Sequence, residues 1–176
     1  DYTFSAYNSE GGNFGLFTSN EMMKRLNAKM YAESKRLGVK WILGGECGHM
    51  WRVVHQYMDT MNGPANHLEV PKSPVTGTVF EHAKSTKMVH ICEFTADLIH
   101  NNKIKLDPSR NDKYQVTFHD SCNTARGMGM MEEPRYILNK VLNPGNFHEM
   151  PENTIREQTF CCGSGSGLNT DEVMEM

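Results

Sequence analysis

The residues best suited to chemistry are Cys161 and Cys162, adjacent in the stretch FCCGSGSGL over residues 160–168. Neighbouring sulfurs rarely form a relaxed disulfide, because the geometry distorts the peptide between them. Thiolates are the preferred ligands of iron–sulfur clusters. Two adjacent cysteines bind one metal ion poorly but can reach neighbouring irons of a polynuclear cluster. Gly163, Gly165 and Gly167 suit such a group, since bare backbone comes close and its amides are free to donate. Ser164 and Ser166 add small hydroxyl donors. Structural zinc held by Cys47, Cys122, Cys161 and Cys162 is the alternative metal reading. Zinc ligands usually come in pairs two to four residues apart, and no C-x-x-C occurs in this chain. The third reading is inert packing, which the glycine run opposes at 161–162. Cys92 lies on an apolar helical face and reads as core, because a free cysteine packs like a small hydrophobe.

The elements around these residues must bring them together. Ser19 is a plausible N-cap, and Met22, Met23, Leu26, Met30 and Leu37 recur at helical spacing until Gly38. Val39 to Leu43 reads as a buried strand that runs into Gly44-Gly45-Glu46-Cys47-Gly48. Trp51, Val54, Met58 and Met61 predict a helix ended by Gly63-Pro64. Residues 62–78 read as a long loop. Met88, Ile91, Cys92, Leu98 and Ile99 fit one helical face. Tyr114 to His119 predicts a strand leading to Cys122, and Glu133-Pro134 opens a helix with Pro in its first turn. Phe147 to Met150 predicts a short strand; Thr159-Phe160 leads into the paired cysteines. Residues 1–18 read as loop or short strand. The alternation predicts an α/β fold with a mostly parallel sheet, flanking helices, and the cysteine loops at the carboxyl edge of the strands, where such sheets gather their sites.

Bulk composition narrows the function. The chain has 176 residues, 38% hydrophobic and 22% charged, and a net charge of −3, which describes a globular domain without a basic surface for nucleic acid. No run approaches the roughly 20 apolar residues of a membrane helix. Five cysteines in no even spacing, without a signal-peptide pattern, point to a reducing compartment and to metal or catalytic roles. The thirteen methionines read as core. The eight histidines read as mostly surface, with His49 and His119 close to cysteines. The chain opens without Met on Asp1-Tyr2-Thr3-Phe4 and closes on residues 170–176 as a helix begins, so a fragment truncated at both ends is expected.

Cys122, 38 further residues and then Cys161-Cys162-Gly163 resemble the first half of the cysteine-rich CCG domain. His119-Asp120-Ser121-Cys122 resembles that family's H-D-P-C, Glu133-Pro134-Arg135 its A-P-R, and Glu149-Met150 its E-M. Its members include catalytic subunits of heterodisulfide reductase and iron–sulfur subunits of glycolate and lactate oxidation. Residues 44–63, 92–99, 105–112, 117–123 and 150–172 further resemble the DsrK family, the heterodisulfide-reductase-like subunit of the membrane-bound DsrMKJOP complex. The resemblance implies a partial CCG catalytic domain over 1–176. It implies an unusual 4Fe–4S centre, noncubane or five-cysteine-ligated, that performs thiol–disulfide chemistry on the disulfide or trisulfide of the sulfur carrier DsrC. DsrM and the other complex subunits would then be partners, at the cytoplasmic face of the membrane. Cys122, Cys161 and Cys162 would be catalytic, and these three with Cys47 would hold the iron. His49, Arg52, His119 and Arg126 are placed to donate to sulfur. The family's terminal C-x-x-C would fall after Met176. Cys47 stands where a two-repeat relative ends in C-x-x-C, but here the text is Cys47-Gly48-His49-Met50, so Cys47 is either a fifth ligand or a remnant. The alternatives are a glycolate- or lactate-oxidase-type iron–sulfur subunit, or a zinc-stabilised interaction domain.

Overall fold

The structure is a computed structural model that describes residues 2–5, 19–45, 47–84 and 87–163. Most of the expected N-terminal loop, the glycine and serine donors beyond Gly163, and the helix beginning near Thr170 lie outside the described residues.

Helix α1 (Asn20–Leu37) starts where Ser19 Oγ accepts the Met22 amide at 3.1 Å, and ends at left-handed Gly38. Met23, Asn27, Met30, Tyr31 and Ser34 share its buried face, the three-and-four spacing of an amphipathic helix. Strand β1 (Ile42–Gly44) follows. A helical run then passes from α2 (Gly48–Val53) through a π-helical turn (Val54–Met58) into α3 (Asp59–Asn62). Residues 63–80 are mostly irregular, as expected of the long loop. Strand β2 (Met88–His90) leads directly into α4 (Ile91–His100). Strand β3 (Val116–Thr117), α5 (Glu132–Val141) and β4 (Phe147–His148) complete the regular elements.

The fold is α/β, and both strand pairs are parallel, but they form two small sheets. β1 pairs with β2, with Ile42 opposite Met88 and Gly44 opposite His90. β3 pairs with β4, with Val116 opposite Phe147. Helices α4 and α5 pack against each other and join the two halves.

The main core lies in the first half. Met30, Tyr31, Trp51, Val54, Met58, Leu68 and Met88 are buried together, and Met130 enters from the second half. Unbranched methionines suit this irregular space between short elements. Cys92 is half-buried against the same core, as read from the sequence, and burial raises its thiol pKa.

Several sequence expectations shift. Met88 belongs to a strand rather than to the following helix: a three-residue run is too short to show a period, and Met88 sits four residues before Cys92, mimicking a helical repeat. The strand expected over 114–119 contracts to two residues, since Tyr114 is half exposed beside the exposed Lys113 and Gln115. Histidines are less superficial than expected: His90 is buried, and only His100, His119 and His148 are exposed. Among the described residues no helix is long and apolar enough to cross a membrane.

Candidate functional site

Cys122 sits in a tight turn beyond β3. The Ala125 amide donates to Ser121 O at 2.8 Å and the Gly127 amide to Cys122 O at 2.9 Å. That turn sets the half-buried Cys122 thiol within electrostatic reach of Cys161. Burial, then this contact, raise the Cys122 pKa; the Arg126 guanidinium opposes them, and Cys162 adds to the raising field. Cys161 and Cys162 are exposed. The Gly163 amide donates to Cys161 Sγ at 3.4 Å. Three thiols therefore converge from two segments far apart in sequence.

A polar staple holds the two segments. Thr159, fully buried, donates its hydroxyl to Asp120 O at 2.7 Å. Arg126 Nη1 donates to Thr159 O at 2.9 Å, and His119 Nε2 donates to Phe160 O at 2.9 Å. The carbonyl can only accept, so Nε2 carries the proton. Asp120 is 0% exposed, and its carboxylate accepts two bonds from Arg135, at 2.8 and 2.6 Å, and one from the Arg156 amide at 2.7 Å. Arg135 also grips Glu149 through Nε at 2.6 Å. These contacts hold the Asp120 carboxyl below the usual carboxylate range although burial alone would raise it. Charge-assisted bidentate pairs fix direction as well as distance, so Asp120, the turn before the cysteine pair and α5 become one rigid frame. Asp120, Arg135 and Glu149 are visible in the sequence only as fragments of motif; their mutual contact is not, because 15 and 14 residues separate them along the chain.

Cys47 lies at the N-cap of α2, just beyond β1. Helix α2 packs directly on the Cys122 turn. A Cβ on Gly48 would stand 2.9 Å from Ser121 Oγ and 3.3 Å from Asn123 Cβ, so this approach requires glycine. Arg52 donates to Asn123 Oδ1 at 3.3 Å and to Gln56 Oε1 at 2.8 Å; Gln56 in turn donates to Gly127 O at 3.4 Å. His49 occupies the first turn of α2. The structure thus brings the Cys47 turn against the Cys122 turn, while the described contacts join Cys122 only to Cys161 and Cys162. Arg126 and His119 bond to the backbone before the cysteine pair, and Arg52 to the residue after Cys122. Among the described residues no group of three or more His, Cys, Asp or Glu side chains closes around a single ion.

Residues 116–176 match the family described as the CCG cysteine-rich domain. Over 99% of its length the chain is 51% identical to an Hdr-like menaquinol oxidoreductase iron–sulfur subunit of Archaeoglobus profundus, and 49% identical to a second iron–sulfur subunit of the same description from Archaeoglobus fulgidus. Over 83 residues, 47% of the chain, it is 42% identical to a component of the dihydromethanophenazine:CoB–CoM heterodisulfide reductase of Methanosarcina mazei, and the match covers 19% of that protein. The chain spans about a third of the length of the two Archaeoglobus relatives, 33% in each case. No solved structure matches it. The chain has homologues among Hdr-like iron–sulfur subunits, and its residues 116–176 match the CCG cysteine-rich domain.

Proposed function

We propose that this chain forms the sulfur-reacting part of a heterodisulfide-reductase-like oxidoreductase, with an iron–sulfur cluster held by Cys122, Cys161 and Cys162 and with Cys47 as a further ligand. The observation that carries the reading is the convergence of three thiols at an exposed rim, with the Gly163 amide already donating to Cys161 Sγ. Amide-to-sulfur bonds of this kind tune cluster potentials. The donor chemistry fits a polynuclear iron–sulfur group better than zinc, because adjacent thiols suit separate irons, whereas zinc ligands usually come in pairs two to four residues apart.

When bound, such a cluster supplies single electrons to the two-electron cleavage of an S–S bond. The chain's own residues do the rest. Arg126 sets positive charge beside the thiols and favours thiolate. His119 and Arg126 fix the carbonyls of Phe160 and Thr159 and so anchor the backbone that enters the cysteine pair. Phe160, 66% exposed beside Cys161, gives an incoming sulfur-bearing segment an apolar contact. His49 and Arg52 stand on the Cys47 side to offset the charge of a departing thiolate. The substrate we assign is a protein disulfide or trisulfide such as that of DsrC. A quinol-oxidising membrane partner of the DsrM type would deliver electrons, in keeping with the relatives' description as menaquinol oxidoreductase subunits.

The test is metal analysis with EPR of the full-length subunit, prepared anaerobically, treated with thiol and then mildly oxidised. Iron with a paramagnetic signal broadened by iron-57, and loss of both in Cys161→Ala, is expected. Stoichiometric zinc without iron would overturn the reading. Reduction of oxidised DsrC by the loaded complex then tests the substrate.

A further inference from the structure

Behind the cysteine loops lies a buried cluster of ionisable side chains that the chemistry above does not use. His55, His82, His90, Glu93 and Glu133 come from five different segments. His82 Nε2 pairs with Glu133 Oε1 at 3.3 Å, and the His82 amide donates to Glu93 Oε1 at 3.3 Å. The Trp51 ring contacts His55 at 3.9 Å and His90 at 4.8 Å between centroids. The π-helical turn Val54–Met58 carries His55, and such turns inside α-helices are frequent at functional sites.

Two atoms in this cluster, Glu93 Oε2 and Trp51 Nε1, are buried without a hydrogen-bond partner, and His90 Nε2 is buried with only the Gly45 backbone beside it, outside good hydrogen-bond geometry. His90 is 4% and Glu93 8% exposed. His90 Nδ1 accepts the Cys92 amide at 3.1 Å, so in the neutral ring Nε2 carries the proton. Buried polar atoms without partners are rare and ask for a cause.

The cluster touches segments that adjoin both cysteine turns. The His90 ring presses on Gly45, where a Cβ would meet Cδ2 at 2.4 Å, and Gly45 lies two residues before Cys47. His82 approaches Gly129 in the turn that follows Cys122. At the outer end, the His82 and Glu133 side chains are 21% and 26% exposed. Glu133 also lines a surface groove with Ala96, Asp97, His100 and Tyr136.

We propose that this cluster is a redox-linked proton site: when an electron arrives at the cysteines, a proton enters from solvent through His82 and Glu133 and is held at the His90–Glu93 corner. The proposal rests on the iron–sulfur reading above. The balance is one proton per electron. The quinol-oxidising partner, passing electrons singly, adds one electron to the sulfur site, and solvent adds one proton to the buried cluster. Two such events supply the two electrons and two protons that turn RS–SR′ into RSH and R′SH, returning site and cluster to their starting state.

The electrostatics agree with the geometry. Burial first, then repulsion from His82, lower the pKa of His90 and of His55 to about 4, so both are neutral at neutral pH. Burial raises the Glu93 pKa, against the opposing pull of His82. Glu133 raises His82 and is itself lowered by it. The Cys92 thiol, raised by burial and by Glu133, completes the groups facing this site. New negative charge at the cysteines shifts every one of these groups toward binding a proton.

The test is the midpoint potential of the iron–sulfur centre against pH in the full-length subunit, with proton uptake on reduction followed by an indicator dye. The wild type is expected to fall with pH, by up to about 59 mV per tenfold change in proton activity for one electron. Glu93→Gln and His90→Asn, the latter retaining an N-cap acceptor, are expected to flatten that slope with iron content unchanged. A slope that survives in both variants, or a wild type that takes up no proton on reduction, overturns the proposal while leaving the cluster assignment intact. A wild type without iron overturns the cluster assignment first and this proposal with it. If a variant fails to assemble, the wild-type dye measurement decides alone.

Discussion

The two halves of the molecule are held by different physics. Around β1 and β2 the structure rests on a methionine-rich apolar core with Trp51 at 0% exposure. Around β3 and β4 it rests on Asp120, Arg135, Glu149 and Thr159, joined by short polar bonds. An apolar core fills volume and tolerates small shifts, whereas hydrogen bonds and ion pairs fix direction. The half that carries Cys122, Cys161 and Cys162 is the half built from directional contacts.

Mutations separate the two. Trp51→Ala should cost the most, toward the upper end of about 3–5 kcal/mol for a buried aromatic, and thermal unfolding should report it as loss of the whole first half. Arg135→Ala should cost about 3 kcal/mol by stranding the buried Asp120 carboxylate. Hydrogen exchange should place that loss in residues 117–123 and 156–163, and the double change Asp120→Leu with Arg135→Met should be milder than Arg135→Ala. If Arg135→Ala loosens both halves equally, the comparison fails.

Acid separates them as well. His55 and His90 titrate near 4 in the fold and near 6.5 when unfolded. Their contribution is present above pH 6.5 and is lost as pH falls toward 4, on the order of 3 kcal/mol each at most. Asp120, with its pKa lowered, keeps its contribution until pH falls below the ordinary carboxylate range. Circular dichroism between pH 7 and 4 should therefore show the β1–β2 half weakening first. The smallest effect is Thr159→Val, about 1 kcal/mol for one buried hydrogen bond, read as faster alkylation of Cys161 without a change in melting temperature beyond a few degrees.

The sequence makes some of this legible and hides the rest for identifiable reasons. Helix α1 is readable at both ends, because Ser19 and Gly38 are local signals that act on their own neighbours. Helix α5 is readable from Glu133-Pro134 and its apolar spacing. The pattern of cysteines and glycine points to the three converging thiols. Strand β2 stays hidden, since three buried residues carry no period. So does the histidine cluster: His55, His82, His90, Glu93 and Glu133 meet only after five segments pack, and each alone looks like a surface residue. Burial of polar groups is a tertiary fact, and single positions do not announce it.

Gly48 has a further consequence. The Cys47 and Cys122 turns touch so closely at Gly48 that a methyl group there would displace the Ser121 hydroxyl and press on Asn123 Cβ. The halves are joined elsewhere by α4 against α5 and by Met130 in the main core, so this seam is one of several places where they meet. A single codon change to alanine or serine at this position would act as a wedge, leaving both halves folded and the seam between them open.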